Sequence, residues 1–322
     1  MKEIIISANE ANQRFDKYLA KLLNEAPKGF YYKMLRKKNI VLNGKKATGN
    51  EKLREGDSVK LFLADDTFEK FTSQKKTIRT KEKLDIIYED EDVIFINKPA
   101  GMLSQRAKES DLSLVDHLLS YLLENGSITE QELTTFKPSI CNRLDRNTSG
   151  LVTAGKSMMG LQTLSEWFRD RSVGKYYRCL VKGQVTKIHR VSGYLYKDET
   201  KNLVQIMKNQ VKDSVAIETE YRPIAVGENV TLLEVHLITG KTHQIRAHLS
   251  YMGHPIIGDP KYGDLKLNKF YQKQYHLNHQ LLHAFRLEIP KTDDRLTQLS
   301  ERHFCAPLPD IFEEICQKEG VI

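Results

Sequence analysis

Several common features are missing from this chain. Its 322 residues contain only four cysteines (Cys141, Cys179, Cys305 and Cys316), far apart and with no C-x-x-C pair. That spacing excludes a zinc ribbon and a disulfide framework, and it suits a reducing compartment. No apolar run approaches the roughly 20 residues of a membrane helix. The three-isoleucine run in "MKEIIISANE" is too short for a signal-peptide core. There is no nucleotide-binding glycine loop and no H-E-x-x-H, and no internal repeat or low-complexity segment. These absences predict a soluble cytoplasmic protein with no membrane association.

The charge that is present is unevenly spread. Residues 1–64 hold 14 Lys and Arg against 7 Asp and Glu, whereas the rest of the chain holds 36 against 35. A basic module on a nearly neutral body predicts an arm for a polyanion, nucleic acid ahead of membrane. The alternative is a basic surface that only aids solubility.

Periodicity divides the chain at the same place. "NQRFDKYLAKLLNE" sets Phe15, Leu19, Leu22 and Leu23 on one helical face, and Pro27 opens a second helix that buries Tyr31, Met34 and Leu35. Lys33, Arg36, Lys37 and Lys38 lie on its other side and end. Asn43-Gly44 is a hairpin signal beside Lys45 and Lys46, and Val59, Leu61 and Leu63 alternate along a closing strand. Residues 65–82 are charge-rich and aperiodic, which predicts a linker. From residue 83 to 322, strands and amphipathic helices follow one another without regular alternation. They predict an α+β domain with a mixed, mainly antiparallel sheet and flanking helices.

Three stretches could carry chemistry. "CNRLDRNTSG" sets Asp145 between Arg143 and Arg146, which would favour its ionised form and suit a nucleophile or a general base. An ordinary ion pair closing a turn is the alternative. "KYYRCLV" begins a strand in which alternation sends Tyr176 and Tyr177 to opposite faces, so one can face a pocket while the other packs in the core. "TGKTHQIRAHLSYMGHP" sets Arg246 in an apolar helix, where it needs a fixed acidic or phosphate partner unless it faces solvent. Seven of the ten histidines fall between His236 and His283. No Cys or carboxylate cluster at ligand spacing accompanies them, so a metal site is disfavoured.

The order "NRLDRNTSGL", "KYYRCLV", "GKTHQIRAHL…GHPIIGD…Y", led in by "INKPAGM", closely resembles the RluA-type pseudouridine synthases, from about residue 12 to about residue 310. The N-terminal unit resembles the S4-like RNA-binding domain that many of them carry, and together they are most similar to the RluC-type subgroup acting on large-subunit ribosomal RNA. The resemblance implies a catalytic set of Asp145, Tyr177 and Arg246, in which Arg246 pairs with the aspartate, with Arg143, Tyr176, Lys241, His243 and Gln244 near the substrate. Lys33, Arg36, Lys37, Lys38, Lys45 and Lys46 would meet RNA. It also implies isomerisation of uridine in RNA by a monomer, with no cofactor and no metal. Two positions depart from the family pattern: Asn142 stands where His is usual, and Lys241 where Arg is commoner. The competing readings are a non-catalytic RNA-binding assembly factor, a tRNA-directed synthase, and a metal-dependent hydrolase built on the histidine-rich region.

Overall fold

A computed structural model describes residues 1–72, 79–198 and 203–322. The N-terminal unit forms around one amphipathic helix pair. Strand β1 (Lys2–Ile5) leads to helices α1 (Phe15–Leu22) and α2 (Lys28–Arg36), then to β2 (Ile40–Leu42), β3 (Lys45–Lys46) and β4 (Ser58–Leu61). The strands pair antiparallel in the order β1-β4-β2-β3. Phe15, Leu19, Leu22 and Leu23 meet Tyr31, Met34 and Leu35 in a core closed by Val59 and Leu61. Asn43 and Gly44 both take positive φ (50° and 70°), as the mirror-image hairpin turn between β2 and β3 requires.

The expected linker is partly structured. Asp65–Phe71 forms helix α3, and its Phe68 and Phe71 pack on the N-terminal core, with Phe71 4.5 Å from Phe30 between ring centroids. Two aromatics three residues apart suffice to dock one short helix in a segment otherwise rich in charge. Residues 73–78 of that stretch lie outside the described residues.

The remainder is built on a sheet in which β5 (Ile86–Glu89), β6 (Val93–Lys98), β7 (Ser139–Ile140) and β8 (Ser149–Gly155) form one end. Strands β9 (Gly174–Lys182), β10 (His189–Asp198), β11 (Leu203–Met207), β12 (Val215–Val226) and β13 (Val230–Leu237) form the other. Strand β14 (Leu282–Glu288) lies between β8 and β9, and β15 (His303–Cys305) pairs with it, giving the path β11-β10-β12-β13-β9-β14-β8-β6-β5. Among these strands of the described residues, β14 and β8 are the parallel pair; the others are antiparallel.

Alternation along the strands separates two packed faces. Ile94, Ile96, Tyr177 and Cys179 face helices α4 (Leu114–Glu124) and α6 (Gln244–Tyr251). Val93, Phe95 and Leu151 face α5 (Met158–Arg169), while Leu180 and Leu232 meet α7 (Leu265–Tyr275) and α8 (Asp310–Lys318). Ser113 and Asp116 form a reciprocal capping box that starts α4. The N-terminal unit touches this body where Thr135 Oγ1 donates to Glu10 Oε1 (2.5 Å) and Met158 N to Asn9 Oδ1 (3.3 Å). No helix among the described residues is long and apolar enough to cross a membrane.

Candidate active site

The loop carrying Asp145 is fixed from both sides before it enters β8. Ser104 Oγ donates to Leu144 O (2.8 Å) and accepts from Leu144 N (3.1 Å). Thr148 N closes a turn on Asp145 O (3.0 Å). The Lys98 ammonium, completely buried, donates to the carbonyls of Pro99, Met102 and Arg146 at 2.9–3.1 Å. Burial pulls its pKa down to about 7, with the charge of Asp145 acting the other way. Asn142 staples the loop to β8: Nδ2 donates to Leu151 O (3.1 Å), and Oδ1 accepts from Thr153 N (2.8 Å). The residue that departs from the family pattern therefore holds the backbone here.

The guanidinium beside Asp145 is not one of its sequence neighbours, as the local spacing suggested, but Arg246, as the family resemblance implied. Among the described residues Arg143 reaches Gln105 Oε1 (3.5 Å), and Arg146 Nε donates to Gly101 O (3.0 Å). Arg246, 101 residues away, supplies the charge through Nη1 to Asp145 Oδ2 (2.8 Å). Its other two nitrogens are committed to Asp259, with Nε to Oδ2 at 2.7 Å and Nη2 to Oδ1 at 2.9 Å. Asp259 Oδ1 also accepts from the backbone of Lys261 (2.9 Å) and Tyr262 (3.0 Å). The buried Arg246 thus has the fixed acidic partner that its apolar helix demanded, and a second one in Asp145. Burial disfavours its charge, but hydrogen bonds and charge from Asp259, then Asp145, outweigh this and raise its pKa. Side-chain exposure falls from 26% at Asp145 to 5% at Arg246 and 0% at Asp259, so only the first carboxylate is open to a ligand.

His243 completes the cluster. It sits at φ 53°, in the left-handed region, just before α6. Its Nδ1 is 3.0 Å from Tyr262 Oη, which already accepts from Val204 N at 2.9 Å. Tyr262 Oη and His243 Nδ1 thus share one hydrogen bond, and His243 Nε2 lies 3.8 Å from Asp145 Oδ2. Burial lowers the His243 pKa against the pull of Asp145 and keeps the ring neutral. Gln244 is spent on structure: its amide bonds Thr239 Oγ1, Lys241 N, Glu218 O and Thr219 Oγ1 at 2.9–3.1 Å, which fixes the Gly240–His243 turn on β12.

The two tyrosines separate as alternation requires. Tyr177 faces the cavity, and burial followed by the charge of Asp145 pushes its pKa up, so the phenol keeps its proton. Tyr176, expected near the substrate, lies on the opposite face. It stacks on His236 at 4.6 Å between centroids and lies 4.2 Å from the Arg286 guanidinium. It does not line the cavity.

That cavity encloses about 610 Å³, and Asp145 is the single carboxylate in its lining, a size within the roughly 300–1,000 Å³ of ligand sites. Around it stand Arg143, Arg146, Arg171, Lys175 and Lys241. None of the five has a carboxylate partner among the described residues, whereas Arg106 is held by Asp116 (2.5 Å) and Arg169 loosely by Glu166 (3.7 Å). A body whose net charge is close to zero therefore has a cationic mouth. The six basic residues expected to meet RNA on the N-terminal unit are all exposed. Among the described residues, no group of three or more His, Cys, Asp or Glu could hold a metal ion. The histidines serve separate contacts, for example His283 between Ser149 Oγ (2.8 Å) and Ala306 O (3.2 Å). Sequence reasoning did not single out Asp259, Tyr262 or Lys98. The demand of a buried arginine for a carboxylate was the signal available for the first.

A carboxylate aimed by a guanidinium, beside a neutral phenol and a neutral imidazole, suits attack on or deprotonation beside an electrophilic sugar carbon. Comparison with known proteins agrees. Residues 92–251 match the family model described as RNA pseudouridylate synthase. "Ribosomal large subunit pseudouridine synthase C" of Vibrio vulnificus is 31% identical over 97% of this chain and 94% of its own length. The protein of the same name from Haemophilus influenzae is 30% identical over 99% and 95%. A solved human structure, "RNA Pseudouridylate Synthase Domain Containing 4", shares the fold with a TM-score of 0.59 at 23% identity, over 73% of this chain and 92% of that one. The chain belongs to the RNA pseudouridine synthases. Within them it is of the RluA type, and it is an isomerase acting on RNA.

Proposed function

We propose that the protein converts uridine to pseudouridine in large-subunit ribosomal RNA, working in the cytoplasm as a monomer without a cofactor. The observation that carries this reading is the Asp145–Arg246–Asp259 chain at the floor of a cation-lined cavity. In the reaction the glycosidic N–C bond breaks, the uracil turns over, a C–C bond forms from C5 to the same sugar carbon, and the proton that C5 loses is balanced by one gained at the freed N1. No electron or group enters or leaves the substrate, so ionised and neutral side chains can supply all that is needed. Asp145 acts at the sugar, Arg246 aims it, and Tyr177 stacks on the uracil. The base must leave its helix to reach Asp145, and the basic mouth favours the strand from which it is flipped.

The choice of ribosomal RNA is supported by the names of the relatives and by the N-terminal unit. We read residues 1–72, its third helix included, as an S4-like RNA-docking domain and residues 83–322 as the catalytic domain. Lys33, Arg36, Lys37, Lys38, Lys45 and Lys46 are exposed and free of carboxylate partners among the described residues, which leaves them available for phosphates. The test is pseudouridine mapping of large-subunit rRNA, small-subunit rRNA and tRNA transcripts incubated with purified protein, alongside rRNA from cells with and without the gene. New pseudouridine confined to large-subunit rRNA is expected. Product in tRNA alone would overturn the substrate, and no product with any RNA would leave a binding protein.

A further inference from the structure

The turn between α5 and β9 carries charge that the protein does not neutralise. Arg171 and Lys175 both line the cavity. The acids nearby are engaged elsewhere: Asp170 accepts from Ser172 N (3.0 Å) and Oγ (2.7 Å), and Glu166 faces Arg169 (3.7 Å) and Arg295 (3.0 Å). Glu288, in register with Gly174, is held by Arg286 (3.2 Å) and His303 (3.6 Å). Lys175 is partly buried, and burial followed by the charge of Arg171 lowers its pKa. A cation drawn out of water beside a like charge is unfavourable until an anion arrives. Arg171 also holds φ 68°, a conformation in which glycine or asparagine is ordinarily found. Strand alternation puts Lys175 on the same face as Tyr177, about 7 Å along β9, which is the scale of one step along a nucleic-acid backbone.

We propose that Arg171 and Lys175 form an anion site that grips a backbone phosphate adjoining the nucleotide presented to Asp145. This rests on the reading that the cavity receives a uridine of RNA. The turn then works as a clamp that sets how far the flipped nucleotide enters, separately from the docking of the N-terminal unit.

The test uses full-length Arg171→Gly, Lys175→Met and the double variant, with an RNA on which the wild type forms pseudouridine. Arg171→Gly should keep or raise Tm, because glycine accepts the left-handed backbone. The double variant should raise apparent KM about five- to tenfold while the single-turnover rate at saturating RNA stays within about twofold. Its slope of log affinity against log salt should fall by about 0.7 for each phosphate of the single strand that the protein no longer neutralises. Unchanged KM and salt slope in the double variant would overturn the anion site. So would loss of the saturated rate in folded Arg171→Gly, which would make the turn a builder of the site. If the wild type forms no pseudouridine on any RNA, the functional reading falls. The salt slope of binding to single-stranded RNA then still decides whether the two cations hold a phosphate.

Discussion

Replacing Asp259 with asparagine separates the aiming of Asp145 from its chemistry. The Asp259 carboxylate, wholly buried, accepts four hydrogen bonds: two from Arg246 and two from backbone N–H groups. Asparagine can keep the three at Oδ1 only by turning its own N–H₂ toward Arg246 Nε, a donor facing a donor. One charge-assisted bond disappears, and a buried guanidinium keeps a single carboxylate partner, Asp145. Removing one partner of a buried pair costs about 3–5 kcal/mol, out of the roughly 5–15 kcal/mol that hold a domain folded. Asp259→Asn should therefore remain folded at 25 °C with a clearly lower denaturant midpoint. The kinetic effect should be larger than the stability change suggests, because an unanchored guanidinium tilts and takes Asp145 with it. A misplacement of about 1 Å costs on the order of 100-fold in rate. Asp259 does not line the cavity, so KM for RNA should hardly move. The assay is single-turnover pseudouridine formation at a temperature where circular dichroism shows the variant folded. A turnover within about twofold of wild type, or an effect confined to KM, would show that Arg246 does not need Asp259 to hold the carboxylate.

Three further outcomes follow from the same geometry. Asp145→Asn should abolish product while leaving RNA affinity within a few-fold; retention of even about a tenth of wild-type turnover would remove Asp145 from its role. Deleting residues 1–72, so that α3 leaves together with the core it packs on, should shrink the salt slope of binding to structured rRNA and leave saturated single-turnover chemistry largely intact. An unchanged slope would make the N-terminal lysines merely solubilising. Burial pulls His248 and His283 down to about 4, so between roughly pH 6.5 and 4 the unfolded chain binds protons there that the folded chain refuses. Stability should fall as pH falls through that window, with roughly 3 kcal/mol at stake per histidine. Denaturant midpoints at pH 5 and pH 7 should show one proton fewer taken up on unfolding by His283→Asn; an equal uptake would show that His283 already titrates in the folded state.

Much of this was legible from spacing, and the failures have physical reasons. The 3.6-residue period named the buried faces of α1 and α2 correctly because those helices pack against each other and one small sheet. Asp145, Arg246 and their pairing came from motif order, whereas the bare spacing pointed to the wrong arginines. Arg143 and Arg146 flank the aspartate along an irregular loop, where neighbouring side chains diverge, whereas Arg246 arrives from a helix that folds over it. Tyr176 was expected near the substrate through adjacency to Tyr177, although strand alternation already argued that both could not face one cavity. Net charge concealed the cationic mouth because the compensating acids are present but held elsewhere, as Asp116 is by Arg106. Asp259 stands inside the motif "GHPIIGD…Y" but draws no role from it, because spacing alone does not show what a carboxylate holds. Its meaning lies in the arginine it holds.

The position of β14 has a consequence for the order in which the protein can be made. β8, which follows Asp145, and β9, which carries Tyr177, are separated in sequence by one helix, yet in the sheet they are held apart by a strand that begins at Leu282. On the ribosome the centre of the sheet must therefore stay open while more than a hundred further residues are added, including α6 with Arg246. Gly150, paired with Ala284 in the parallel ladder, leaves no room for a β-carbon: one built there would lie 2.3 Å from Ala284 O. This late strand closes so tightly that a partial sheet cannot imitate the finished one. A nascent chain then has Asp145 without its anchored partner until Arg246 and Asp259 have both been made.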